Sequence, residues 1–148
     1  MQVKYILIVD DDPDDSEFFA AVMRQLDADV HVKVAISKEE LFKELEGEVP
    51  DLLFIDSFIQ QDSGQESIRE IRANPRFVSL PIIMYTGASG AKSIKDAFDA
   101  GASAYIVKPH TMTEIKTVLQ NILQRNWNLR LPFTKQYYNE NRFHDYKE

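Results

Sequence analysis

The chain has 148 residues, 44% hydrophobic and 28% charged, a composition that suits one folded domain with an apolar core. Its formal net charge of −7 argues against a nucleic-acid-binding surface, which needs clustered lysine and arginine side chains. It has no cysteine, its N-terminal apolar run is too short for a signal peptide, and no apolar stretch could span a membrane, so we expect a cytoplasmic protein.

Short apolar segments alternate with helical patterns up to about residue 125. In chain order, the predicted strands cover residues 3–9, 30–34, 52–55, 81–85 and 104–107. Four of these segments are nearly continuous apolar runs, as in strands that are buried on both faces. The second segment, VHVKV, alternates apolar with polar residues instead, which predicts a strand at the edge of the sheet.

Apolar residues at helical spacing fill the gaps between these strands, within residues 18–26, 41–45, 68–71, 94–98 and 115–123. Asp12 followed by Pro13 predicts the N-cap and the first residue of the first helix. Gly101 predicts the end of the fourth helix. Because strand and helix alternate five times, we expect an α/β fold with a doubly wound, five-stranded parallel sheet and helices on both faces.

The alternation stops after Leu123, and residues 126–148 form a distinct C-terminal segment. The segment contains Pro132, shows no long helical period, and holds six aromatic residues: Trp127, Phe133, Tyr137, Tyr138, Phe143 and Tyr146. Disordered segments are usually poorer in aromatic residues. Two alternatives stay open, a frayed tail or an extension that docks on its own domain or on a partner. We divide the chain into a domain at residues 1–125 and an aromatic-rich extension at residues 126–148.

Polar side chains follow four of the predicted strands at the point where each strand ends. The first strand ends in Asp10 and Asp11, the third in Asp56, the fourth in Thr86, and the fifth in Lys108. Sites in open parallel sheets form outside the carboxyl ends of the strands. Converging carboxylates repel one another unless they are protonated or share a cation, and carboxylates with waters suit Mg²⁺. A carboxylate beside Mg²⁺ can also act as a nucleophile that forms an aspartyl phosphate.

Four segments, in this order and with these spacings, resemble the receiver domain of response regulators in the CheY-like family of two-component systems. The segments are ILIVDDDP, DLLFIDSFIQQDSG, PIIMYTG and AGASAYIVKPH, and the resemblance covers about residues 3 to 125. Each motif alone is weak, whereas the set is specific. The resemblance implies a (βα)5, flavodoxin-like fold in which the five predicted strands lie in the order 2-1-3-4-5.

The resemblance also assigns the groups that would carry a phosphoryl group and a metal ion. It makes Asp56 the phosphoacceptor and implies that Asp10 and Asp11 hold Mg²⁺, or Mn²⁺ in its place, with Asp11 the more direct ligand. Asp56 itself and the backbone carbonyl of Phe58 would complete the protein ligands. Lys108 matches the lysine that pairs with the acceptor and with its phosphate.

Further positions match the switch and the backbone of the family. Thr86 matches the switch hydroxyl, and Tyr105 matches the aromatic residue that changes rotamer with it, although a strand tyrosine can also serve packing alone. Gly64 matches the turn glycine of the loop after the acceptor. Lys108 and Pro109 match the dipeptide whose peptide bond is typically cis in this family.

Three positions depart from the family pattern without removing a catalytic group. Gln60 stands four residues beyond the acceptor, where the family usually has a proline, and this replacement predicts a looser loop. Gly87 stands where alanine is frequent, and His110 stands where an aromatic residue often follows the Lys-Pro pair. The bulky Phe58 lies next to the site, and we hypothesise that it hinders the water that hydrolyses the phosphoaspartate.

These features imply a response regulator that accepts a phosphoryl group on Asp56 from a histidine kinase or a histidine phosphotransfer protein. It would be no conventional enzyme, since it would only catalyse its own Mg²⁺-dependent phosphorylation and dephosphorylation. Because the chain ends soon after the fifth helix, we expect no DNA-binding output domain. Output would be a contact with a downstream protein or onward phosphotransfer. A homodimer through the face of the fourth helix, fifth strand and fifth helix is a further possible partner arrangement. The alternatives are a phosphorylation-independent interaction module and a dehalogenase-type aspartate phosphatase.

Overall fold

The computed structural model describes residues 2–127 and 135–147 of the chain. Within these residues there are nine strands: β1 (Tyr5–Val9), β2 (His31–Ala35), β3 (Leu52–Ile55), β4 (Phe58–Ile59), β5 (Asp62–Ser63), β6 (Ile82–Thr86), β7 (Ala104–Val107), β8 (Gln136–Asn139) and β9 (Arg142–Asp145). The same residues contain five α-helices: α1 (Pro13–Leu26), α2 (Lys38–Glu46), α3 (Gly64–Ala73), α4 (Ala91–Ala100) and α5 (Met112–Gln124). A short 3₁₀ helix covers Pro75–Phe77.

The main sheet has seven strands in the order β2-β1-β3-β6-β7-β8-β9. Strands β1, β2, β3, β6 and β7 pair in parallel and correspond to the five predicted strands, so the expected order 2-1-3-4-5 is confirmed. Strand β2 lies at the edge, as its alternating pattern predicts. The fold is the doubly wound α/β arrangement expected from the alternation of strand and helix.

The helices cover both faces of the sheet, and each face has its own apolar core. Because successive residues of a strand point to opposite faces, Leu7 and Val9 of β1 pack on one side while Ile6 and Ile8 pack on the other. Apolar residues of α2, α3 and α4 line the first side, and those of α1 and α5 line the second. The central strands are therefore apolar along nearly their whole length, which is the pattern that identified them in the sequence.

Two helix boundaries follow the predicted capping residues. The carboxylate of Asp12 accepts hydrogen bonds from the backbone N–H groups of Asp14 and Asp15, and Pro13 is the first residue of α1. At the other predicted boundary, α4 ends at Gly101, whose φ of 115° lies in the left-handed region that glycine adopts without strain.

The C-terminal extension continues the sheet. Strand β8 pairs in parallel with β7, and β9 turns back antiparallel to β8, so that Tyr105 of β7 lies opposite Tyr137 of β8. Between the two open alternatives, the described residues of the extension therefore adopt the docked one. Strand β7 is therefore an internal strand of the sheet, and Tyr105 does not lie at a sheet edge. Phe133 and Pro132 lie outside the described residues.

Aromatic side chains hold this hairpin against helices on both faces of the sheet. Tyr146 stacks on Phe98 of α4 with ring centroids 4.5 Å apart. On the opposite face, Tyr138 is 5% exposed and its hydroxyl donates a hydrogen bond of 2.8 Å to Glu114 of α5. Burial, together with the nearby Glu114 carboxylate, raises the pKa of Tyr138 to about 12. The described hairpin of the extension, β8 and β9, thus packs against the domain on both faces of the sheet.

None of the helices in residues 2–127 and 135–147 is long and apolar enough to cross a lipid bilayer.

Truncation after Arg125 should destabilise the domain, because it removes the buried Trp127 and Tyr138 and leaves β7 as an open edge. Losing two buried aromatic residues should cost at least about 2 kcal/mol, which corresponds to a melting temperature lower by roughly 5 °C or more. Thermal unfolding followed by circular dichroism measures the shift. A control that lacks only residues 147 and 148 should melt with the full chain, and an unchanged melting temperature after the long truncation would contradict the docked hairpin.

Candidate functional site

The parallel pairing of neighbouring strands brings the acidic strand ends to one rim. The N–H of Asp10 donates to the carbonyl of Ala35 at 3.0 Å, and the N–H of Asp56 donates to the carbonyl of Val9 at 3.0 Å. These bonds continue the strand ladders by one residue beyond β1 and β3. Asp10 and Asp56 therefore leave the sheet side by side, as the strand order predicts.

The ammonium group of Lys108 lies among three carboxylates at this rim. Its Nζ is 2.8 Å from a carboxylate oxygen of each of Asp10, Asp15 and Asp56. The N–H of Lys108 donates to the carbonyl of Thr86 at 2.8 Å, which fixes the backbone from which the side chain reaches across. Burial alone would lower the pKa of Lys108, but its hydrogen bonds to the three carboxylates outweigh burial and hold the pKa above its usual value. Lys108 is therefore a fixed positive charge.

The Asp10 carboxylate is nearly inaccessible to water, with a side-chain exposure of 2%. Burial raises its pKa, while hydrogen bonds from Lys108 and from the N–H of Asp12 act in the opposite direction. The N–H of Asp12 lies 2.9 Å from Asp10 Oδ1, and Lys108 Nζ lies 2.8 Å from Oδ2. Both oxygens of this buried carboxylate are thus hydrogen-bonded, as a buried charge requires.

Asp15 is a site residue that the sequence pattern does not reveal. The sequence suggests only that it favours the helix dipole in the first turn of α1. In the structure its carboxylate is 44% exposed and bonds Lys108 at 2.8 Å. Asp15 lies in the first turn of α1, which starts directly after the acids at the end of β1. This position in the sequence is the signal that could have placed Asp15 at the rim.

Asp11 contacts the loop that follows Asp56 and not Lys108. Its Oδ2 accepts a hydrogen bond of 2.6 Å from the N–H of Gln60. Gln60 has a φ of 58° and lies in the turn between β4 and β5, which pair antiparallel. The turn at Gln60 is therefore joined to Asp11 by a hydrogen bond and flanked by paired strands. A proline at this position could neither donate this hydrogen bond nor adopt a positive φ.

The donor set is compatible with a divalent cation. Within the described residues, no three acidic or histidine side chains form a ready-made metal cage, because Lys108 separates Asp10 from Asp56 and Asp11 binds Gln60. Four carboxylates at the rim nevertheless outnumber the single ammonium group. A hydrated Mg²⁺ ion, which needs only one or two carboxylates and keeps several waters, fits such a set.

Two buried hydroxyl groups lie beside Asp56. Ser57 Oγ and Thr86 Oγ1 are 2.7 Å apart, and the two residues are 4% and 2% exposed. Ser57 Oγ is also 3.5 Å from Asp56 Oδ1. The sequence predicts Thr86 as a site residue, whereas it offers no pattern that singles out Ser57.

Tyr105 is completely buried under α4 and the hairpin, and burial raises its pKa. Its hydroxyl donates to the carbonyl of Ala88 at 2.6 Å and lies 2.8 Å from Ser93 Oγ. The carbonyl of Ala88 belongs to the segment just beyond Thr86. The two predicted switch residues are therefore linked through one short loop.

The structure also places the predicted turn glycine and Phe58. Gly64 begins α3 so close to the backbone of Asp56 that an added Cβ would lie 2.0 Å from its carbonyl oxygen. Only glycine allows this approach. Phe58 lies two residues beyond Asp56, and its side chain is 68% exposed. The expectation of a cis bond between Lys108 and Pro109 is wrong, since the described residues contain no cis peptide bond. The trans form, intrinsically favoured by roughly 0.5–1 kcal/mol, is compatible with the contacts of Lys108.

Comparison with known proteins identifies the family to which this fold belongs. Residues 6–120 match the family model of the response regulator receiver domain. The response regulator Rre1 of Synechocystis is 27% identical over 120 residues, which are 81% of this chain and 52% of that protein. The structure of a response regulator from Chloroflexus aurantiacus J-10-fl is 31% identical, with a TM-score of 0.72 and coverage of 84% of this chain and 100% of the other.

A further structure, the Mn²⁺-bound form of response regulator Rcp1, has a TM-score of 0.73 at 20% identity, and the match covers 88% of this chain and 99% of the other. At this identity the likeness shows the fold alone.

The chain belongs to the response regulator receiver domain family, because the family model matches most of its length. It is a receiver domain of the two-component, CheY-like class. The chain spans between 26% and 52% of the length of four curated relatives that it matches, so the activities of those longer proteins do not transfer to it.

Replacing Lys108 with methionine should destabilise the domain by about 3 kcal/mol, or roughly 9 °C, because it leaves the buried Asp10 without its cationic partner. Burial already raises the pKa of Asp10, and loss of Lys108 should raise it further above the unfolded value. A carboxyl group whose pKa is higher in the folded than in the unfolded state stabilises the fold at low pH and loses this contribution as pH rises. The stability lost in Lys108→Met should therefore be larger at pH 8 than at pH 5.

Melting temperatures of Lys108→Met and wild type at both pH values measure this effect. Lys92→Met is the matched control, because Lys92 is 87% exposed and its ion pair with Asp96 lies at the surface. If Lys108→Met lowers the melting temperature equally at pH 5 and pH 8, the role assigned to the buried Asp10 carboxylate is contradicted.

Proposed function

We propose that this receiver domain accepts a phosphoryl group on Asp56 from the phosphohistidine of a histidine kinase or a histidine phosphotransfer protein. The observation that carries the proposal is the contact of 2.8 Å between Lys108 Nζ and Asp56 Oδ2, at a rim shared with Asp10. The Asp56 side chain is 15% exposed and can be reached from solvent, whereas the Asp10 side chain is only 2% exposed. Asp56 thus combines a cationic partner with access for a donor, which the buried Asp10 lacks.

The transfer replaces a P–N bond with a P–O bond. A carboxylate oxygen of Asp56 attacks the phosphorus, the P–N bond to the donor imidazole breaks, and the imidazole leaves with the bonding electron pair. The product is an acyl phosphate on Asp56. Lys108, already in contact with Asp56, would pair with the phosphoryl oxygens as charge moves onto them.

Mg²⁺, or Mn²⁺ in its place, would neutralise charge on the phosphoryl oxygens when bound. Asp10 and Asp11 would hold the ion together with Asp56 and the carbonyl of Phe58. The excess of carboxylates at the rim supports this assignment, and the Mn²⁺-bound form of the neighbour Rcp1 is consistent with it. The oxygen-only donor set suits a hard divalent cation.

The output would be a two-state change relayed by Thr86 and Tyr105 toward α4, β7 and α5. Phosphorylation adds negative charge and acceptor oxygens beside Thr86. We propose that the partner is a downstream protein or a further phosphotransfer protein in the cytoplasm. A homodimer through α4, β7 and α5 would have to accommodate the hairpin, since β8 occupies the outer edge of β7.

Incubation with acetyl phosphate and Mg²⁺ should add the mass of one phosphoryl group to the intact protein. Asp56→Asn should abolish the gain, because an amide cannot form the acyl phosphate, and EDTA should prevent it. Asp62→Asn is the matched control, since Asp62 is an exposed acid in β5 and should leave the gain intact. If wild type neither gains mass nor binds beryllofluoride, a phosphorylation-independent interaction module becomes the better assignment.

Phe58→Asn should shorten the lifetime of the phosphoaspartate a few-fold. The exposed phenyl ring lies next to the acceptor and would hinder the attacking water, whereas a small polar side chain leaves room for it. Loss of the phosphorylated mass after removal of the donor gives the rate. Val78→Asn, at an equally exposed apolar residue near the opposite ends of the strands, is the control. An unchanged hydrolysis rate in Phe58→Asn would exclude the shielding role.

A further inference from the structure

A hydrogen-bonded pair of buried hydroxyl groups lies between the acceptor and the switch residue Thr86. Ser57 Oγ and Thr86 Oγ1 are 2.7 Å apart, which is the usual length of a hydrogen bond between two hydroxyl groups. Both residues are almost completely shielded from water. A buried hydroxyl that loses its partner pays the desolvation of an unsatisfied polar group, so each of these two residues constrains the other.

The neighbouring groups set the direction of this hydrogen bond. The Asp56 carboxylate only accepts, so its contact of 3.5 Å with Ser57 Oγ uses the hydrogen of the serine. The N–H of Ala88 donates to Thr86 Oγ1 at 3.4 Å. Thr86 then has its own hydrogen left, and the remaining acceptor within reach is Ser57 Oγ. The arrangement that uses every donor runs from Ala88 through Thr86 and Ser57 to Asp56.

The same residue, Ala88, also contacts the second switch residue. Its carbonyl accepts the hydrogen bond of 2.6 Å from the hydroxyl of Tyr105. The two polar groups of Ala88 therefore join Tyr105 to Thr86, and Ser57 joins Thr86 to the acceptor. A movement of the Thr86 hydroxyl would therefore change hydrogen bonds toward both Asp56 and Tyr105.

We propose that Ser57 is a positioning residue that holds the hydroxyl of Thr86 while Asp56 is unphosphorylated and opposes its transfer to the phosphoryl group. This inference rests on the function proposed above. Once phosphoryl oxygens are present on Asp56, the hydroxyl hydrogen of Thr86 has a charged acceptor, and it must leave Ser57 to reach it. Ser57 thus adds a restraint on the switch that a residue without a hydroxyl could not supply.

The consequence is measurable as the affinity for a phosphoryl analogue. Without the serine hydroxyl, Thr86 gives up no hydrogen bond when it turns toward the analogue. Ser57→Ala should therefore bind beryllofluoride in the presence of Mg²⁺ about fivefold more tightly than wild type, a change equivalent to about 1 kcal/mol for one neutral hydrogen bond. Isothermal titration calorimetry measures the dissociation constant.

A double-mutant cycle separates positioning from a general structural effect. In the Thr86→Ala background there is no hydroxyl to hold, so Ser57→Ala should leave the beryllofluoride affinity unchanged. Ser67→Ala is the matched control, since Ser67 is fully buried in α3 and its Oγ has no hydrogen-bond partner among the described residues. An independent, spectroscopic measure is the chemical shift of the backbone amide of Ala88, which should change in Ser57→Ala but not in Ser67→Ala.

Three results would overturn the inference: an unchanged or weaker affinity in Ser57→Ala, an equal gain in the Thr86→Ala background, or an equal gain in Ser67→Ala. Ser57→Cys, which keeps a weaker donor of similar size, should lie between alanine and wild type and serves as the test if Ser57→Ala unfolds. Failure of the proposed function would look different, because wild type itself would then bind no beryllofluoride.

Discussion

The ion pairs between Lys108 and three carboxylates are the interaction on which the rim of this sheet depends. Strand pairing places Asp10 and Asp56 side by side, and two adjacent buried or half-buried carboxylates repel each other unless a positive charge lies between them. The ammonium group supplies that charge at 2.8 Å from each. The pairing makes the acidic cluster compatible with a folded domain. It also places the carboxylate proposed as the phosphoacceptor, Asp56, beside the ammonium group that would meet a phosphoryl oxygen.

This electrostatic arrangement gives the neighbouring carboxylates different environments. Asp10 is inaccessible to solvent and hydrogen-bonded at both carboxylate oxygens, Asp15 is partly exposed, and Asp11 is bonded to the loop after Asp56. Of the two carboxylates at the ends of β1 and β3 that contact Lys108, Asp56 is the accessible one. The adjacent hydroxyl pair of Ser57 and Thr86 connects this carboxylate to the interior, so a change of charge at Asp56 acts on a buried polar group and not on bulk water.

The C-terminal hairpin changes the face through which such a signal would leave. In a five-stranded sheet β7 would be an edge, and Tyr105 would lie near solvent. Here β8 pairs with β7, Tyr146 stacks on Phe98 of α4, and Tyr138 bonds Glu114 of α5. The hairpin is therefore in contact with every element of the face that α4, β7 and α5 form. Any partner that approaches this face meets the hairpin first, and any rearrangement of Tyr105 occurs beneath it.

The sequence by itself determined the five parallel strands, the five helices and the residues Asp10, Asp56, Thr86 and Lys108 at the strand ends. These features follow from local period and from the rule that sites form where parallel strands end, so they need no knowledge of distant contacts. The strand order came from resemblance to a family and not from the periodicity. The roles given to Asp56 and to the metal ligands likewise remain predictions until phosphorylation is measured.

Only the tertiary structure decided the positions of Asp15, Ser57 and the hairpin. From the sequence, Asp15 is an ordinary acid in the first turn of a helix. Only the orientation of α1 brings its carboxylate into contact with Lys108. Ser57 is one serine among several until its side chain meets Thr86, which is 29 residues away. The hairpin depends on pairing residues 104–106 with residues 136–138, which no local pattern specifies. Side-chain direction and long-range pairing arise from packing the whole chain, and a single sequence does not encode them as a short-range pattern.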